Sequence, residues 1–256
     1  MIPLPDSFLT IPIAHRGLHD HAAGRPENSR AAFWAAIDAG YGIEMDIQPS
    51  RDGVPMVFHD YGLARLTGQS GPIQQRTAEE LSRLSLLGTD ETIPTLADVL
   101  TLTAGRVPLL IELKDQDGAL GPNVGSLERA VADVLAGYDG PAAVMSFNPH
   151  SVAALAEAAP NLPRGLVTEA YADSDTQMVP PERRDALRKI PDVDRVGAGF
   201  ISHQASDLSR PRVQELKESG LPILCWTIRS PEQEAEARKT ADNITFEGYA
   251  AAHPGA

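Results

Sequence analysis

The sequence predicts a single α/β barrel built from eight parallel βα units, and three observations lead there. Short β-rich runs recur near positions 12, 44, 110, 144, 166, 199, 225 and 244. Helical patterns separate nearly all of them, and such alternation reads as parallel βα units rather than hairpins. At 256 residues the chain is long for one ordinary domain but normal for a sheet that closes on itself. There is no internal repeat and no low-complexity segment, so residues 1–256 read as one domain.

Ile11 to Ala14 is a short apolar run ending at His15-Arg16-Gly17. Pro26-Glu27-Asn28-Ser29 opens a helix through Ala39, with Asn28 or Ser29 as its N-cap and Gly40 as its stop. Ile43 to Ile47 is an extended run in which Glu44 and Asp46, two apart, leave the same face. Asp52-Gly53 is a hairpin signal, and Val54, Met56, Val57 and Phe58 carry the chain back to His59. With a two-residue turn Asp46 lies opposite His59; with a four-residue loop Glu44 does. Either register puts His59 on the carboxylate face, with Pro55 at a non-bonded or edge position. The return strand can only pair antiparallel, so it folds back above the barrel rim.

Residues 60–93 are polar and turn-rich, with a helical turn or two near Thr77 to Leu84, and read as an insertion capping the barrel mouth. Pro94-Thr95 starts a helix through Thr103, and Val107 to Leu113 is a continuous apolar strand buried on both faces. Helices follow over Ser126–Leu135 and Pro149–Ala159, with strands at Ala142–Ser146 and Gly165–Thr168. A proline-containing connection leads to a helix near Glu182–Lys189. The last strands are Val196–Ile201, Ile223–Thr227 and Asn243–Phe246, separated by helices near Arg210–Ser219 and Pro231–Lys239.

Composition narrows the function. Hydrophobic content of 42% is ample for a core. A net charge of −13 and a pI near 4.9 argue against a nucleic-acid binder or a polybasic membrane-surface protein. An acidic protein still binds an anionic substrate where a metal or local Arg and Lys reverse the field. The single Cys225 excludes an intramolecular disulfide and a Cys-rich zinc site, and its apolar neighbours suit packing. No signal peptide and no run of transmembrane length is evident, so a cytoplasmic protein without stable membrane association is expected.

In a βα barrel the site forms at the carboxyl ends of the strands. Ionisable residues gather there: His15 and Arg16 after the first strand, Glu44 and Asp46 on the second, Glu112 and Lys114 on the third. A solvated strand face would also carry Glu, Asp and His, but such charge would scatter over strand starts and helices as well. Glu44, Asp46 and Glu112 are three hard oxygen donors, which suit Mg²⁺ or Ca²⁺ better than zinc. His15 and His59, on opposite sides of them, suit a general acid–base pair, although a satisfied core histidine is the plainer reading of His15. Arg16 and Lys114 suit a phosphate group; ion pairs to Glu44 or Glu112 are the plainer alternative. Trp226 ends its strand either as an apolar wall for substrate or as an ordinary core side chain.

These motifs resemble the glycerophosphodiester phosphodiesterase family. The resemblance is carried by His-Arg-Gly at 15–17, Pro-Glu-Asn-Ser at 26–29, Glu-Met-Asp at 44–46, Asp-Gly…Phe-His-Asp at 52–60 and Glu-Leu-Lys at 112–114. It continues through Arg65-Leu-Thr-Gly, Gly71-Pro, Ile93-Pro-Thr-Leu, Ser146-Phe and Trp226-Thr. The resemblance implies a TIM-type barrel with a small subdomain after the second histidine. It also implies one divalent cation at Glu44, Asp46 and Glu112, catalytic histidines at His15 and His59, and phosphate-facing Arg16 and Lys114. Two places depart: Ser29 stands where Thr is commoner, and the last strand reads Asn-Ile-Thr-Phe-Glu-Gly at 243–248 where a Thr-Asp pair is common. The implied activity is hydrolysis of a small-molecule glycerophosphodiester to sn-glycerol 3-phosphate and an alcohol, by a monomer or small homo-oligomer. The alternatives are a lysophospholipase D-type enzyme, which needs an apolar mouth, and a catalytically silent barrel serving as a binding protein.

Overall fold

The structure, a computed structural model, describes residues 1–172 and 179–253. Nine strands are present among them: β1 Ile13–Ala14, β2 Gly42–Pro49, β3 Pro55–Val57, β4 Leu109–Leu113, β5 Ala142–Ser146, β6 Arg164–Thr168, β7 Phe200–Gln204, β8 Ile223–Ile228 and β9 Asn243–Phe246. All but β3 are parallel, and the order β1-β9-β8-β7-β6-β5-β4-β2 closes through a β1–β2 pairing into an eight-stranded barrel. Helices fill the connections as the alternation requires. Residues 173–178, part of the connection before the helix Pro181–Leu187, lie outside the described residues.

Period-two alternation divides the barrel core. Ile13, Leu110, Ala143, Met145, Val167, Phe200 and Leu224 pack together inside. Ile43, Met45, Ile111, Val144, Ile201 and Cys225 face the helices. The amino-terminal segment closes the lower end: Leu4 and Phe8 join the inner cluster, and Asn243 Nδ2 donates to the carbonyls of Phe8 and Ile11 at 2.8 and 2.6 Å. Caps set the helix starts. Ser29 accepts from Ala32 N at the head of Arg30–Asp38, and Thr95 forms a capping box with Asp98 at the head of Leu96–Thr103.

One strand lies elsewhere than expected. Val196 closes a short helix, Val193–Val196, and the strand begins only at Phe200. Gly197, at φ +61°, turns the chain after that helix, and Val193 and Val196 are buried on the barrel's outer face.

β1 is only two residues long, so β2 has a free edge above Ile43, and β3 takes it. The stretch after β3 carries an apolar cluster of its own: Met56, Phe58, Leu63, Leu66, Ile73, Leu81, Leu86 and Ile93 are all buried together.

Candidate active site

The site begins where β1 ends. His15 N donates to Phe246 O at 2.8 Å, which ties the start of the turn to β9. Arg16 then takes φ +55° and Gly17 φ +79°. A Cβ on Gly17 would sit 2.9 Å from Phe33 Cδ1 and 3.0 Å from Ala32, so no larger residue fits this tight reversal. The turn aims Arg16 inward: its backbone N donates to Glu44 Oε2 at 2.9 Å, and its Nη1 to Glu27 Oε1 at 2.7 Å. Its Nε lies 3.4 Å from Asp46 Oδ2.

The parallel register places Asp46 beside Glu112 on neighbouring strands, with Glu44 one inward position below. One oxygen of each lies within 4.8 Å of the others, and all three residues are buried. Lys114 Nζ reaches Asp46 Oδ1 at 2.7 Å and Glu112 Oε1 at 2.6 Å. Burial works against charge on Asp46, yet Lys114, His59 and Arg16 hold its carboxyl far below the usual range. Glu44 goes the other way: burial, then repulsion from Asp46 and Glu112, raises it well above an ordinary glutamate.

The hairpin differs from both expected registers. Ile47 lies opposite Val57, Gln48 opposite Met56 and Pro49 opposite Pro55. Gly53, at φ +80°, adds a bulge position to the turn, giving a three-residue loop of Arg51, Asp52 and Gly53. A continued ladder would therefore put His59 opposite Met45, on the apolar face. The ladder instead stops: Phe58 N still donates to Asp46 O at 2.9 Å, and the chain bends at His59. His59 ends within electrostatic reach of Asp46 through that bend rather than through strand parity. Pro55 and Pro49, which both lack an N–H, face each other at a non-hydrogen-bonded pair, and Ser50 N donates to Val54 O at 3.0 Å beyond them.

His59 Nδ1 lies 2.8 Å from Asp60 Oδ1. Arg65, from the insertion, grips Asp60 and Glu27 with two hydrogen bonds each, at 2.7–2.8 Å. Glu27 in turn holds Arg16. Glu27, Asn28 and Arg65 stand in the sequence within motifs that assign them no role at the site. Asn28, expected as a possible cap, instead stands at φ +57° with its Nδ2 on Asp46 Oδ2 at 2.9 Å, and Ser29 is the cap.

His15 Nδ1 lies 2.5 Å from Glu247 Oε2, and its Nε2 lies 4.0 Å from Glu44 Oε2. Burial pushes the imidazole below its ordinary value, against the pull of Glu247. Trp226 is not hydrogen-bonded to the acid cluster. Its Nε1 donates to Ser202 O at 3.0 Å, and its ring meets Phe147 edge-on with centroids 5.6 Å apart.

Residues 15–244 match the Glycerophosphoryl diester phosphodiesterase family. The chain belongs to this family. A glycerophosphodiester phosphodiesterase of Caldanaerobacter subterraneus subsp. tengcongensis is 33% identical over 245 residues, covering 92% of this chain and 93% of that protein. YhdW of Bacillus subtilis is 30% identical over 233 residues, 88% of each. A phosphodiesterase of Oleispira antarctica, solved with its product sn-glycerol 3-phosphate, superposes with a TM-score of 0.76 at 26% identity, over 94% of each chain.

The phosphodiesterase's three carboxylates fit a divalent cation. Metal–oxygen distances of about 2.0–2.6 Å allow ligand oxygens on opposite sides of one ion to stand up to roughly 4–5 Å apart, and these three lie within 4.8 Å. A double positive charge between them would relieve the repulsion that adds to burial in raising Glu44. Among the described residues of the phosphodiesterase, no helix is long and apolar enough to cross a membrane.

Proposed function

We propose that the protein hydrolyses glycerophosphodiesters to sn-glycerol 3-phosphate and an alcohol. His15 and His59 serve as the acid–base pair, and Glu44, Asp46 and Glu112 hold one Mg²⁺ or Ca²⁺. The observation that carries this reading is the meeting of three buried carboxylates with Arg16, Lys114 and His15 at the mouth of a barrel of this family. When bound, the cation supplies Lewis-acid stabilisation of negative charge on a phosphoryl oxygen.

The chain's own residues do the rest. Arg16, held by Glu27 and Glu44, presents its guanidinium to a phosphoryl oxygen. Lys114 adds positive charge on the Glu112 side. One histidine takes a proton from the nucleophile, water or the glycerol 2-hydroxyl, while the other gives one to the leaving oxygen. Trp226 and Phe147 offer an aromatic wall for the non-reacting part of the substrate.

The apolar side chains of the insertion support a water-borne substrate over a lipid. Leu63, Leu66 and Leu86 are buried in the insertion's own cluster, and Leu87 is its exposed leucine. The test is a panel of glycerophosphodiesters bearing choline, ethanolamine, glycerol or inositol, assayed for sn-glycerol 3-phosphate after chelation and with each metal restored. Release from one or more of them, with no turnover of lysophospholipids, is the expected result. Turnover of lysophospholipids alone would reverse the substrate class.

A further inference from the structure

We propose that Glu247, at the carboxyl end of β9, is the positioning residue for His15: it accepts the Nδ1 proton and so turns a bare Nε2 towards the barrel mouth. The inference rests on His15 being one of the two acid–base histidines and adds what orients it.

The geometry is specific. Glu247 Oε2 lies 2.5 Å from His15 Nδ1. An imidazole carrying its proton on Nε2 would set its Nδ1 lone pair against a carboxylate at that separation, which is repulsive. Only a protonated Nδ1 makes the contact a hydrogen bond. Glu247 is not free to turn away. Its Oε1 accepts from Arg229 Nε at 2.8 Å and lies 2.7 Å from Arg229 Nη2, while its backbone N donates to Ile228 O at 2.9 Å. His19 Nε2 stands 3.6 Å from the same Oε2, beyond hydrogen-bonding distance. The backbone bond from His15 N to Phe246 O joins the two residues through their main chains as well. The other ring nitrogen stands 4.0 Å from Glu44 Oε2, too far for a hydrogen bond to compete for the tautomer.

The proton balance follows. As a base, His15 takes the nucleophile's proton on Nε2 and becomes imidazolium, with Nδ1–H still on Glu247; as an acid, it starts as imidazolium and gives up the Nε2 proton. In both cases Glu247 stays a carboxylate and the exchanging proton is on Nε2.

The test uses the full chain labelled with ¹⁵N-histidine and read by long-range ¹H–¹⁵N correlation above the imidazole titration, with His15→Ala to assign the signal. Wild type should show His15 protonated on Nδ1. In Glu247→Gln, Arg229 retains the amide oxygen, so the amide NH₂ faces His15 and drives the proton to Nε2. kcat, measured on the best diester of the panel, should fall ~10²–10⁴-fold with KM little changed. Glu247→Asp keeps the charge but is one methylene too short to span His15 and Arg229. It should keep the Nδ1–H tautomer and lose about ten- to a hundredfold in kcat. An Nδ1–H signal persisting in Glu247→Gln overturns the proposal whatever the rate. Should that variant not fold, a wild-type His15 signal protonated on Nε2 overturns it. A switched tautomer with unchanged kcat leaves Glu247 as the residue that orients His15 and removes His15 from the chemistry.

Discussion

Asn28 donates from Nδ2 to Asp46 Oδ2 at 2.9 Å, and it does so from the left-handed backbone region, at φ +57°. The Arg16 carbonyl accepts from Asn28 N at 2.9 Å, which holds that conformation. The amide therefore pins one oxygen of a candidate metal ligand while Lys114 holds the other at 2.7 Å. Asn28→Ala is expected to weaken divalent-cation affinity about 10–100-fold, the usual loss when a partner of a metal ligand is removed. Titration of the metal by calorimetry checks it, and unchanged affinity would show that Asp46 needs no such support.

Chelation should abolish activity, and Mg²⁺ or Ca²⁺ should restore it. The motive is the proximity of Glu44, Asp46 and Glu112: burial, and then the repulsion among them, raise Glu44. Full turnover in excess EDTA, by protein shown to be metal-free by elemental analysis, would falsify the cation's role.

His15→Ala and His59→Ala are each expected to lower kcat ~10²–10⁴-fold with the fold intact. A glycerophosphodiester with a p-nitrophenol leaving group needs no proton on departure. The variant that this substrate rescues has lost the acid, and the one it leaves impaired has lost the base. Losses under about tenfold at either position take that histidine out of the mechanism.

A pH effect on stability is expected from a histidine outside the acid cluster. His203 is fully buried, with Nδ1 on Thr168 Oγ1 at 2.8 Å and Nε2 on Asp207 Oδ2 at 3.1 Å. Burial lowers its pKa from 6.5 despite Asp207. The unfolded chain then binds the extra proton first, so stability falls as pH drops through about 6.5, by at most roughly 1.4 kcal/mol per pH unit. Urea midpoints of wild type minus His203→Gln between pH 8 and 5 isolate this contribution. A difference that grows in favour of wild type on acidification would contradict the direction.

The strand–helix alternation was legible because most parallel strands are largely apolar on both faces and some helices carry side-chain caps, as at Ser29 and Thr95. The acid cluster was legible for a related reason: Glu44, Asp46 and Glu112 interrupt apolar strands at inward positions. The hairpin register was not. Asp52-Gly53 is compatible with loops of two, three or four residues, and the folded chain takes three, with Ile47 opposite Val57 and Ser50 N donating to Val54 O at 3.0 Å. Glu27, Asn28, Arg65 and Glu247 lay hidden because their roles depend on partners 11 to 232 residues away, which no local pattern encodes. Glu247 did leave a trace, since the rim of the last strand is where the chain departs from the Thr-Asp pair common in the family.

Arg65 has a mechanical consequence. Its four hydrogen bonds to Glu27 and Asp60 moor the insertion to the side chains that hold Arg16 and His59. Displacing that segment would break all four bonds and loosen both side chains, so it is expected to serve as part of the frame of the site.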